Sequence, residues 1–152
     1  MCLIVDANLA GRVFGSPPEP DFVPILDWLE KKDGRLVFGG HLGTELDRVD
    51  RARRFLRALL QAGRAIRIPD EAVQKEEAVV GSTGHCQSND GHVVALARVS
   101  GARTLCTLDR ALQQDFGNPK LVSNPRGKIY QRLEHRRLLC HTAGCQWRSR
   151  GM

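Results

Sequence analysis

The sequence predicts an α/β fold: a three-layer α/β/α sandwich around a short parallel sheet of about five strands. Two observations carry this expectation. Short apolar runs alternate along the chain with segments of helical period. The first run, Cys2 to Val5, is apolar at every position, which is how a strand covered on both faces reads. Alternating strands and helices imply parallel pairing joined by right-handed crossovers. At 152 residues the chain suits one domain and needs no disulfide staples to hold a core.

Taken in order, the first strand ends at Asp6. Residues 22–32 place Phe22, Ile25, Leu26 and Leu29 on one helical face, and Asp33-Gly34 stops that helix. Residues 35–38 read as a second strand, followed by Gly39-Gly40. Thr44 is the expected cap of one long helix reaching about residue 61, with an apolar stripe from Leu46 through Leu60 and Gly63 as its stop. Its other face repeats arginine at 48, 51, 54 and 57.

Residues 65–68 form a weak third strand. Pro69-Asp70 opens a helix through about residue 80, and residues 81–88 form a loop containing Gly and Ser. Ser88 or Asn89 caps a helix over 90–99, which Ser100-Gly101 ends. Residues 103–107 are the fourth strand and 109–116 a short helix. Residues 121–123 are expected as the fifth strand, and a basic helical segment lies near 129–139.

The net charge of +6 is concentrated at one end. Residues 126–152 hold 7 of the 23 basic residues and 1 of the 17 acidic ones, so residues 1–125 are neutral. The division expected is therefore a body at 1–125 and a basic extension at 126–152. A basic tail suits a polyanion, most simply RNA, with Arg136 and Arg137 in the tail and Arg48 and Arg51 on the helix as candidate contacts. Deleting the tail should then weaken binding most at low salt. The bland reading of both features is a solvated surface.

No run approaches the roughly 20 apolar residues of a membrane span, and the short first run does not read as a signal peptide. Five cysteines, an odd number, argue against a complete disulfide framework and for a cytoplasmic setting. Cys140, His141 and Cys145, with His135 upstream, have some zinc character, but the spacing is unusual and a second ligand pair is missing.

Four acids fall where an α/β sheet makes sites. Asp6 and Asp109 follow the first and fourth strands, and ligands collect outside the carboxyl ends of strands. If those strands are neighbours, the two carboxylates meet. Glu45 and Asp90 lie in first turns of helices, where acids are common for helix-starting reasons alone. Asp6 is harder to dismiss, because a carboxylate directly after a buried strand is costly unless paired or coordinated. Converging carboxylates repel one another, and a divalent ion relieves this. Oxygen-only ligands suit Mg²⁺ or Mn²⁺, which favour phosphodiester hydrolysis.

Residues Leu3-Ile-Val-Asp6-Ala-Asn8, Thr44-Glu45-Leu46, Ser88-Asn-Asp90-Gly-His-Val-Val-Ala-Leu-Ala97 and Thr104-Leu-Cys-Thr107-Leu-Asp109 resemble, in order and spacing, a PIN domain of the VapC toxin type. The resemblance covers roughly residues 2–123. It implies a sheet ordered 3-2-1-4-5 and a Mg²⁺- or Mn²⁺-dependent endoribonuclease. Asp6, Glu45, Asp90 and Asp109 would be the catalytic, metal-binding acids. Asn8 and Thr107 match small polar supporting positions, and Asp115 is either an additional acid or an ordinary helix-end residue. Homodimers, and a cognate antitoxin in a toxin–antitoxin pair, are implied in the same way. Gly91 and Leu108 depart from the family pattern, as does the extension beyond Pro125.

Three rivals remain. A haloacid dehalogenase-type phosphotransferase wants a second Asp two residues after the first, and here that position is Asn8. A dinucleotide-binding fold wants a Gly-rich turn that is missing after Asp6. A non-catalytic RNA- or protein-binding module on a PIN-like fold is the third. It gains nothing from four acids that repel phosphate. His41 and His92 lie near the acids, where they could touch phosphate or orient water, but the favoured reading of each is a surface or loop residue without chemistry.

Overall fold

The structure, a computed structural model, describes residues 2–140. Its sheet has five parallel strands in the order 3-2-1-4-5. They are β1 (Cys2–Val5), β2 (Arg35–Gly39), β3 (Ala65–Ile68), β4 (Thr104–Cys106) and β5 (Lys128–Tyr130). Between β1 and β2 lie a 3₁₀ turn (Ala7–Leu9), α1 (Ala10–Val13), a second 3₁₀ turn (Pro20–Phe22) and α2 (Val23–Lys31). The pair α3 (Gly40–Asp47) and α4 (Asp50–Gln61) leads to β3. Next come α5 (Asp70–Thr83) and α6 (Gly91–Ser100), which lead to β4. After β4 come α7 (Arg110–Gly117), β5 and a 3₁₀ helix (Leu133–Cys140).

Right-handed crossovers distribute these helices between the two faces. The chain steps from β1 outward to β3 with α1, α2 and α4 on one side, where α1 packs on α2 and α4. It then returns to β4 and steps to β5 with α5, α6 and α7 on the other side, where α5 lies along α6. The direction of stepping reverses between β1 and β4, a topological switch point. Burial follows from the same layering. All of β1 is buried, as its unbroken apolar run predicts, and α6 is buried from His92 to Ala97. Among the described residues no helix is long and apolar enough to cross a membrane.

Three expectations are corrected. The helix foreseen from Thr44 to about residue 61 is two helices. α3 begins at Gly40, directly after β2, and Thr44 lies inside it. The break comes at Val49, whose extended backbone starts α4. The apolar stripe runs across this break because Leu46, Ala52 and Leu56 all reach the core, so periodicity alone cannot show it. The loop foreseen at 81–88 is shorter, since α5 continues to Thr83 before Gly84 turns the chain.

The third correction is the last strand. Leu121 and Val122 are buried, but they sit in a turn rather than in the sheet. Residues 128–130 pair with β4 instead, Ile129 opposite Leu105 and Tyr130 opposite Cys106. These residues lie inside the segment read above as a basic extension. The buried Tyr130 ring donates its hydroxyl to the Asp21 carbonyl at 2.7 Å, and Leu139 is buried as well. The basic segment therefore takes part in the packed fold at least as far as Leu139, with Arg136 and Arg137 exposed on its 3₁₀ helix.

Cys2 is buried and disulfide-bonded, while Cys86 and Cys106 are free. His141 and Cys145 of the suggested zinc group lie outside the described residues. His135 uses its Nδ1 to accept the Gln131 backbone N–H at 3.0 Å.

Candidate active site

The register of β1 on β4 builds the centre of the site. Val5 lies opposite Cys106, and the Asp6 N–H donates to the Cys106 carbonyl at 3.0 Å. Asp6 and Thr107 therefore leave the sheet side by side at the switch point. Thr107, fully buried, donates its hydroxyl to Asp6 Oδ2 at 2.8 Å. The other carboxylate oxygen accepts the Asn8 backbone N–H at 3.3 Å. With Asp6 only 6% exposed, these two donors supply the compensation that a carboxylate after a buried strand requires. Asn8 thus supports Asp6 through its backbone, while its side chain is exposed.

Thr107 also ties Asp109 to the same place, since its hydroxyl oxygen accepts the Asp109 N–H at 3.1 Å. Asp109 caps α7, taking the Leu112 N–H at 3.1 Å. Gln113 donates to the Thr107 carbonyl at 3.0 Å. One threonine therefore links the acid after β1 to the acid after β4, although they are distant in sequence.

Glu45 arrives from α3. Leu42 and Leu46 bury one face of that helix, which turns His41, Thr44 and Glu45 to another. Glu45 Oε1 lies 3.0 Å from Nε2 of His92, two residues after Asp90. His92 is 5% exposed, so the sequence reading of it as a surface residue is overturned. His41 is exposed and packs in a T-shape on His92, ring centroids 4.9 Å apart. The available signal was the position of His92 within the apolar run that follows Asp90. That run places it on a helix buried all round.

Asp90 precedes the first turn of α6 and is half-buried. Burial raises its carboxyl above the usual range. The negative charges of Asp6, Glu45 and Asp109 add to the rise, and His92 opposes it. All three of the other predicted acids thus act on Asp90 across the switch point. Asp115, 1% exposed, stands apart from them. It accepts the backbone N–H groups of Gln87 and Ser88, each at 2.8 Å, and the Cys86 thiol at 3.2 Å. Ser88 Oγ in turn accepts the Asp90 N–H at 3.2 Å. Asp115 therefore fixes the loop that delivers Asp90.

The donor set is oxygen-rich and mutually repulsive, which suits Mg²⁺ or Mn²⁺ in charge and ligand type. Among the described residues, no three His, Cys, Asp or Glu side chains are arranged to hold an ion together. Arg48 and Arg51 are exposed, beside α3 and on α4. No protein-family model matches the chain, and no curated protein matches it.

Proposed function

We propose that the chain is a metal-dependent endoribonuclease whose site is formed by Asp6, Glu45, Asp90 and Asp109. The observation that carries this reading is geometric: Thr107 donates to Asp6 and accepts the Asp109 N–H where β1 and β4 end side by side at the switch point. Burial raises the carboxyl of Asp90, and the charges of Asp6, Glu45 and Asp109 add to that rise. Carboxylates gathered in this way need a counter-charge, and the PIN-like motifs suggest the chemistry.

A divalent ion held by these acids would polarise a phosphate and lower the pKa of a bound water. The chain's own residues prepare the site. Thr107 and the Asn8 N–H fix the Asp6 carboxylate, His92 orients Glu45, and the α7 cap fixes Asp109. RNA is the substrate we infer, with Arg48, Arg51, Arg136 and Arg137 as candidate backbone contacts. A toxin role with a cognate antitoxin and a homodimer belong to the same proposal and rest on the resemblance alone, and a cytoplasmic setting rests on the odd number of cysteines.

The test is Asp6→Asn. Asparagine keeps an oxygen for Thr107, so the fold should stay intact by circular dichroism. Cleavage of single-stranded RNA in Mg²⁺ or Mn²⁺ should fall by about a hundred-fold or more. Full activity in this variant would refute the assignment.

One observation favours a second reading, a non-catalytic RNA-binding module: among the described residues no three His, Cys, Asp or Glu side chains are arranged to share an ion. Binding of RNA that is equal in EDTA and Mn²⁺, with no cutting in either, would select that reading.

A further inference from the structure

We propose that the cleft between α3, α5 and the loop before α6 is a nucleobase subsite, which seats one base of the strand next to the scissile phosphate. This rests on the ribonuclease reading above and specifies how that site would select its substrate.

The cleft has a volume of about 450 Å³, within the usual range for a small-molecule pocket and ample for one nucleoside. Its position follows from helical spacing. His41 and Thr44 lie one turn apart on α3, on the side that also carries Glu45. Asp70, Gln74 and Glu77 line one side of α5 at intervals of four and three. His92 closes the inner end, and it is also the partner of Glu45. Asn89 lines the cleft immediately before Asp90. The lining therefore includes the hydrogen-bond partner of one acid, Glu45, and the chain neighbour of another, Asp90.

Its charge decides which part of an RNA would enter. Among the described residues no lysine or arginine lines it, whereas Asp70 and Glu77 do. Phosphate is repelled by such walls, so the uncharged part of a nucleotide is the better occupant. The remaining groups suit a base. The Thr44 hydroxyl and the carboxamides of Gln74 and Asn89 supply neutral donors and acceptors. None of those three side chains is engaged in a hydrogen bond among the described residues. Asp70 is already occupied, accepting the Gly40 N–H at 2.9 Å, which pins the start of α3 to the start of α5. His41 is exposed, and its ring is steadied by the contact with His92. Unstacked RNA bases are recognised by this combination of an aromatic surface and edge hydrogen bonds.

The experiment uses the full chain, isotopically labelled, in EDTA so that no cutting occurs. Adenosine, guanosine, cytidine, uridine and ribose 5-phosphate are titrated separately. The imidazole signals of His41 and the side-chain amides of Gln74 and Asn89 are followed by NMR. At least one nucleoside should shift these signals, and ribose 5-phosphate should not. His41→Ala and Asn89→Ala should each weaken that binding roughly ten-fold. In parallel, a randomised RNA hexamer pool is cleaved in Mn²⁺ by the native chain and by Asn89→Ala. The native chain should prefer certain bases at one position beside the cut, and the variant should lose that preference. Cleavage with no base preference and no nucleoside-induced shift would overturn the subsite and leave the nuclease standing. Nucleoside shifts without cleavage in any metal would support the subsite as a binding site and refute the nuclease. Shifts caused by ribose 5-phosphate alone would overturn the subsite.

Discussion

Asp115→Ala tests the loop that carries Asp90. The native carboxylate is buried and accepts two backbone N–H groups at 2.8 Å and one thiol at 3.2 Å. A hydrogen bond to a charged group contributes roughly 1.5–3 kcal/mol when it is sheltered. Here Gln87 is exposed and Ser88 half-buried, so water can reach both freed N–H groups. That lowers the two contributions to about 1 kcal/mol each, with a smaller one from the thiol, and the expected loss is about 2–3 kcal/mol. Urea unfolding at neutral pH measures it, and hydrogen exchange at Gln87, Ser88 and Asp90 should quicken. Asp115→Asn should lose nearly as much, because its NH₂ would face a backbone N–H. A loss below about 0.5 kcal/mol with unchanged exchange would refute the reasoning.

The same carboxylate gives a pH dependence with a definite sign. Burial alone would raise its pKa, but the hydrogen bonds from Gln87, Ser88 and Cys86 outweigh burial and hold it below the ordinary carboxylate value. A group depressed in the folded state contributes stability above its unfolded pKa. That stability is lost as pH falls through the folded value. The difference in stability between the native chain and Asp115→Ala should therefore be full at neutral pH. It should shrink as the solution is acidified below about pH 4.

Two further predictions separate local causes. Gly40 has φ +59°, and a Cβ there would lie 2.8 Å from Cγ1 of Val73. Gly63 has φ +72° with open space around it. Gly63→Ala should cost only the backbone strain, about 1 kcal/mol, whereas Gly40→Ala should cost at least twice that in urea unfolding. Equal losses would mean that Val73 yields freely. Replacing Arg48 and Arg51 together with Ala should weaken RNA binding evenly across sequences and reduce the salt slope by roughly 1.5 to 2. An unchanged slope would remove these residues from the RNA path.

What the sequence revealed depended on how local each signal was. The buried first strand is legible because all four of its residues carry the same message, and Asp6 follows at once. Asp109 is legible for the same reason, since strand, acid and helix are contiguous there. The roles of His92 and Asp115 are not local. His92 meets Glu45 across 47 positions, and Asp115 meets residues 27 to 29 positions upstream. Nothing near either residue marks it as a partner of those groups. The last strand was misplaced because Leu121-Val122 and Ile129-Tyr130 are equally short apolar pairs. Pairing with β4 decides between them, and Leu121 and Val122 are buried without it.

The four acids are held unequally, and this yields a prediction for the protein without metal. Asp6 has two protein donors, Asp109 one, and Glu45 the His92 ring. Asp90 makes no side-chain cap bond to its helix, and burial together with its acidic neighbours raises its carboxyl. For an acid, a folded-state pKa above the unfolded one means that the charged form destabilises the fold. The penalty is absent in acid and grows as pH rises past the unfolded value. In EDTA at neutral pH, Asp90→Asn should therefore unfold at a higher temperature than the native chain, and the gain should vanish near pH 4. Asp6→Asn should show no such gain, because its carboxylate is already compensated by Thr107 and the Asn8 N–H. A site that sacrifices stability at one side chain behaves as a functional site does. Unfolding of Asp90→Asn at the native temperature or below would mean that the repulsion at the switch point is too weak to call for a counter-charge.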